Sequence, residues 1–86
     1  MSNETNRVNV SLSKVLSSRP FGRGFAAFRN GEPFRDDLFC RINDQWAYER
    51  GRMFAAFYSG ALRSNRRLAH GAMVAAREAL HNGALI

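Results

Sequence analysis

The chain has 86 residues, 45% of them hydrophobic, and carries thirteen Lys and Arg against seven Asp and Glu, a net charge of +6. A length like this makes one domain, and folding buries only about 60–65% of the unfolded chain's surface, so the core is thin. No run is long and apolar enough to span a membrane, residues 1–6 lack the blocks of a secretion signal, and the single Cys40 excludes an intramolecular disulfide, so a cytoplasmic protein is expected.

Twelve of the thirteen basic residues are Arg, Lys14 being the exception. A guanidinium is a planar fork of donors that matches phosphate or carboxylate, whereas Lys is a hydrated point charge. The bias fits a polyanion partner, RNA or DNA first. It equally fits the codon usage of a GC-rich genome, as the many Ala and Gly residues do.

In chain order, residues 1–11 are polar, with Val8 and Val10 alternating at the period of a strand. One short strand has no evident partner, so an extended or flexible arm is expected, followed by a single helical domain over residues 12–86. Leu12 to Ser18 allows a turn or two of helix. Ser17-Ser18-Arg19-Pro20 then reads as a helix start with Pro in the first turn, and the first clear helix is predicted over about Pro20 to Asn30. Its stripe is Phe21, Phe25 and Phe28. Gly22 and Gly24 weaken it by about 1 kcal/mol each relative to Ala, so it needs tertiary support, or its glycines admit a close backbone.

Gly31-Glu32-Pro33-Phe34-Arg35 is a turn by composition. Asp36 and Asp37 look like the start of another helix that carries Leu38, Phe39 and Ile42 inward. Sequence leaves open whether that helix continues through residue 43 or breaks there. The stretch from Asp44 to Gly60 is the centre of the chain. On a helical wheel it aligns Trp46, Met53, Phe54 and Phe57, with Asn43 as N-cap, Asp44 favourable in the first turn, and Gly60 as a left-handed stop.

Phe25-Ala26-Ala27-Phe28-Arg29-Asn30-Gly31 and Phe54-Ala55-Ala56-Phe57-Tyr58-Ser59-Gly60 share one pattern. Shared packing logic or duplication of a helical hairpin would each produce it. In both cases the two segments are expected to pack together, around Phe25, Phe28, Trp46, Phe54 and Phe57. A last helix is predicted from a cap at Ser64 or Asn65 to a stop at Asn82-Gly83. Leu68, Ala72, Ala75, Ala76 and Ala79 share one arc of it. Arg63, Arg66, Arg67, His70, Arg77 and His81 fall on the opposite side. The expected fold is all-α, a small bundle of three to four helices, with self-association favoured by the thin core and the Ala-rich face.

Catalytic signatures are absent from the sequence. Cys40, His70 and His81 have no metal-ligand spacing, and no glycine-rich phosphate loop follows a strand. Cys40 is expected to be a small buried core residue. No enzyme, metal or cofactor is predicted. Arg50 conflicts with its apolar arc, and either snorkels, pairs with Glu32, Asp36 or Asp37, or stacks on Trp46. Gly51 beside it leaves a gap where a backbone or a nucleotide could approach.

Arg23-Gly24-Phe25 with Ala26-Ala27, Gly31, Pro33-Phe34, and then Gln45-Trp46 with Gly51 downstream, resembles the ribosome modulation factor family. The resemblance covers about residues 22–57. It implies a small basic helical protein that sits on the small ribosomal subunit, contacts ribosomal RNA and silences translation. The family's Pro-Tyr is Pro33-Phe34 here, its second Trp is replaced by Arg50 or Arg52, and the C-terminal basic segment has no counterpart in it.

Two functions follow as expectations. The first is an RNA-binding, ribosome-directed regulator of translation, holding phosphates through Arg63, Arg66, Arg67, His70 and Arg77, assisted by Arg23 and Arg29. The second is a phage-type inhibitor that sets the same basic face against an acidic host protein or nucleoprotein machine. Its partner-binding residues would be Arg50, Tyr48, Tyr58 and Phe34.

Overall fold

The computed structural model describes residues 12–83; the expected arm, residues 1–11, lies outside the described residues. Residues 12–17 form a short helix, α1. It is followed by α2 (Arg19–Arg29), α3 (Ile42–Phe57), a hairpin of β1 (Arg63–Ser64) and β2 (Arg67–Leu68), and α4 (His70–His81). The described chain is thus mostly helical, as expected, but not purely so, because the hairpin interrupts it.

The dominant contact is between α2 and α3. α2 starts as the sequence implies: the Ser18 hydroxyl caps it by accepting from the Phe21 N–H at 3.3 Å, and Pro20 occupies its first turn. It ends at Asn30, where Gly31 takes a left-handed φ of +74° and the Glu32 N–H donates to the Ala27 carbonyl at 2.9 Å. α3 lies beside it in the same sense. Arg19, Pro20 and Arg23 neighbour Asp44 at one end, and Arg29 reaches Tyr58 and Gly60 at the other.

Two glycines let the backbones meet. A Cβ on Gly24 would collide with the Tyr48 carbonyl oxygen and stand 2.9 Å from its carbon and 3.1 Å from the Arg52 nitrogen. A Cβ on Gly51 would collide with the Phe21 carbonyl oxygen and stand 3.0 Å from the Phe25 nitrogen. Each glycine therefore aims a Cα–H at a carbonyl of the other helix, the geometry of a weak Cα–H···O contact. Gly22 faces open space.

This contact sets the phase of α3. Its buried residues are Ala47, Tyr48, Gly51, Phe54 and Ala55, an arc centred on Gly51 and rotated by roughly 120° from the expected aromatic one at 100° per residue. Where two backbones touch, only small side chains fit between them, so the rings are displaced to the flanks. Of the expected core, Phe25 and Phe54 are buried, with their centroids 6.0 Å apart. Phe28, Met53 and Phe57 are exposed, and Trp46 packs half-buried against the cluster. Phe21, Leu16 and Tyr48 take the deep positions instead. The remainder of the core comes from Leu12, Leu62 and the expected alanine face of α4, Ala72, Ala76 and Ala79.

The segment between α2 and α3 departs from the helix expected at Asp36-Asp37. Side chains of α3 take its backbone groups: Gln45 donates to the Arg35 carbonyl at 2.8 Å and accepts from the Phe39 N–H at 3.1 Å, and Arg52 donates to the Glu32 carbonyl at 2.9 Å. Ile42 and Cys40, expected inside, are exposed. The cap of α3 is Arg41, with no side-chain hydrogen bond, rather than Asn43; Asp44 does lie in the first turn. Gly60 is not a left-handed stop. The chain leaves α3 extended at Tyr58, and Arg29 takes the carbonyls of Tyr58 and Gly60 at 2.6 and 2.8 Å. The two copies of the repeat lie side by side, the first Phe of each buried and the second exposed, but only the first ends on a left-handed glycine. Asn82 and Gly83 end α4 as expected, Gly83 at φ +76°.

Gly24→Ala and Gly51→Ala should each destabilise the fold by about 3 kcal/mol or more, because the obstacle is backbone rather than a side chain that can repack. Gly22→Ala should stabilise it by about 0.5–1 kcal/mol. Urea denaturation of the three variants checks both signs.

Candidate nucleic-acid interface

Several of the arginines are already engaged by what their guanidiniums touch. Arg29 bonds the two carbonyls beyond α3 and lies over the Phe25 ring at 4.4 Å. Arg23 pairs with Glu32 at 3.0 Å, and Arg35 with Asp37 at 3.4 Å. Arg63 donates to the Ser17 carbonyl at 2.8 Å, joining the hairpin to the end of α1. Three of the expected phosphate ligands, Arg23, Arg29 and Arg63, are thus already engaged in the fold.

Arg66, Arg67 and Arg77 belong with Arg19 and Arg41. The side chains of these five make no hydrogen bond or ion pair with another described residue, and all five are exposed. The single-helix stripe expected for the basic residues is corrected here: the helix does not begin at Ser64 or Asn65 but at His70, and Arg63, Arg66 and Arg67 belong to the hairpin. His70, Arg77 and His81 do share one exposed face of α4, with Val74 between them.

The hairpin is built by pairing Arg63 with Leu68 and Ser64 with Arg67, leaving Asn65 and Arg66 as a two-residue turn. Its outer connection is fixed as well, the Ala69 N–H donating to the Leu62 carbonyl at 2.8 Å. Both turn residues have positive φ, 54° at Asn65 and 68° at Arg66. That is the requirement of a type I′ turn, in which Asn followed by Gly is the preferred pair. Asn65 suits its place. Arg66 stands where glycine is preferred, at a conformational cost of about 1–2 kcal/mol.

The expected partner-binding residues separate too. Tyr48 is only 1% exposed, so it is a core residue and not a surface anchor; its hydroxyl accepts from the Arg35 N–H at 3.2 Å. Tyr58 is half-buried, stacked on Phe54 at 4.9 Å, and donates to the Ala61 carbonyl. Arg50 stacks on Trp46 at 4.9 Å and, among the described residues, makes no ion pair and has its Nε buried without an acceptor. Phe34 is exposed as expected. Among the described residues no three His, Cys, Asp or Glu side chains gather to hold a metal ion, and no helix is long and apolar enough to cross a membrane.

Compared with protein-family models, curated proteins and solved structures, the chain matches none.

Sequence reasoning missed the turn, although Ser64-Asn65-Arg66-Arg67 carried its one signal, an Asn at the first turn position. It also missed Gln45 as the residue that organises the loop before α3.

Engaged and unengaged arginines predict contrasting stability effects. Arg29→Gln should lower unfolding free energy by about 1–2 kcal/mol, since it removes charged hydrogen bonds to two carbonyls. Arg67→Gln and Arg77→Gln should each stay within about 0.5 kcal/mol of the parent. Thermal melts followed by circular dichroism check the contrast.

Proposed function

We propose that this is a cytoplasmic RNA-binding protein whose hairpin tip holds the phosphate backbone, and that ribosomal RNA is its target and translation the process it restrains. The observation that carries the reading is Arg66. Its left-handed backbone raises its side chain at the apex of a tight turn, beside Arg67, with no described acid to neutralise either. Phosphate oxygens are the acceptors such forks match. The exposed His70, Arg77 and His81 on α4 extend the same charge. The net charge of +6 favours a polyanion at long range. The ribosomal preference rests on the resemblance of residues 22–57 to ribosome modulation factors.

Engaging about three to five phosphates through Arg66, Arg67, Arg77 and the two histidines would give a log–log slope of affinity against salt of roughly −2 to −4. Fluorescence anisotropy with labelled ribosomal RNA fragments over a salt series tests this. Arg66→Gly relaxes the turn, so the melting temperature should hold or rise. Affinity should nonetheless fall, and the slope should become shallower by about one for each phosphate that the protein no longer holds. Adding Arg67→Gln should deepen both effects. A parent protein without RNA affinity, or an Arg66→Gly variant that binds as tightly as the parent, would sink the reading.

A further inference from the structure

The glycine contact leaves a patch of large apolar side chains outside the core, and it lies among cations. Phe28, Phe34, Met53 and Ala56 line a shallow cavity of about 360 Å³ edged by Arg50 and Arg52. Phe28 and Ala56 also border a second, of about 420 Å³, that continues toward Phe57 and Arg29. Glu49 is the one acid on the lining of either.

The ring at the edge of this patch is held in a fixed orientation. Phe34 stacks on Tyr48 with 27° between the planes and 6.1 Å between centroids. Tyr48 is itself immobilised by burial and by its bond to the Arg35 N–H. Phe34 is thus packed offset against a fixed ring while the residue stays 52% exposed. The Arg52 guanidinium lies 5.8 Å from the Phe28 centroid and 5.9 Å from that of Phe34, anchored by its bond to the Glu32 carbonyl. Among the described residues Arg50 has the Trp46 face and the Met53 sulfur, 3.9 Å away, as partners.

We infer that Phe34 and Phe28 form a stacking platform for unpaired nucleobases, with the phosphates of the same strand passing Arg50 and Arg52. This deepens the RNA reading and rests on it. Exposed, packed rings next to guanidiniums are the arrangement that takes bases from a single strand. Bases within a duplex keep their faces covered by their neighbours and cannot use it. A second copy of the chain suits the patch poorly, because it would bring Arg50 and Arg52 against like charges. The occupant is a single-stranded segment or a loop.

The test compares a labelled oligo(A) strand with a labelled RNA duplex by fluorescence anisotropy. Phe34→Leu keeps the apolar bulk against Tyr48 but removes the flat face; Phe34→Tyr restores it. Phe34→Leu should weaken oligo(A) binding by about tenfold, leave duplex binding unchanged, and be rescued by Phe34→Tyr. Phe28→Leu should act in the same direction and serves as a second probe if Phe34→Leu melts early. If both Leu variants bind oligo(A) like the parent, or lose strand and duplex alike, the inference is overturned while the RNA reading stands. Loss of binding to an acidic amphipathic peptide with oligo(A) affinity intact would also overturn it, making the patch a protein surface. A parent that binds neither RNA removes both.

Discussion

The fold depends on one contact, the meeting of the α2 and α3 backbones through Gly24 and Gly51. Neither position tolerates a methyl group, because what stands opposite is a carbonyl of the other helix. In a domain of this size, which buries little apolar area, close approach brings the layers of the core within reach of one another. It also dictates what cannot be inside. With Ala47, Gly51 and Ala55 against α2, the larger rings of α3 are pushed to its edges. Phe57 and Met53 then emerge beside Phe28 and Phe34.

From that geometry follows the division among the arginines. A thin core leaves irregular segments with backbone carbonyls to satisfy, and Arg29, Arg52 and Arg63 do this at Tyr58, Gly60, Glu32 and Ser17. Long side chains that cross the surface to bond carbonyls replace some of the cohesion that apolar burial would supply. They also leave only part of the positive charge for a partner. Among the described residues the part that is left includes Arg66 and Arg67 on the hairpin and Arg77 on α4, besides Lys14, Arg19 and Arg41 elsewhere on the surface. A local backbone strain at Arg66 is the price of its placement on the hairpin.

Much of the helical framework was legible in the residues. Ser18 and Pro20 marked the start of α2, Asn82-Gly83 the end of α4, and the alanine arc of α4 was the buried one, because caps and small-residue faces act locally. Close backbone approach was one of the readings open for Gly22, Gly24 and Gly51; Gly24 and Gly51 meet the opposite helix, and Gly22 faces open space. What escaped was non-local. A hydrophobic wheel assigned α3 an aromatic face, yet the neighbour it packs against is a backbone, which selects the smallest face. The charge pattern of residues 63–81 suited a single helix, but a two-residue turn at Asn65-Arg66 broke it and set Arg63, Arg66 and Arg67 on a hairpin. Gly60 looked like Gly31, and the difference between them lies in a side chain distant in sequence, Arg29.

Arginines bound to backbone carbonyls at Tyr58, Gly60 and Ser17 hold the fold, those at the hairpin tip meet the partner, and guanidinium nitrogens can be watched one by one. The most direct measurement is a nitrogen–proton correlation spectrum of the arginine side chains during titration with a ribosomal RNA fragment. The Nε signals of Arg66, Arg67 and Arg77 should move as RNA is added, while those of Arg29 and Arg63 should hold their positions. Movement confined to Arg29 and Arg63, or no movement at Arg66 and Arg67 at saturating RNA, would contradict this division of roles.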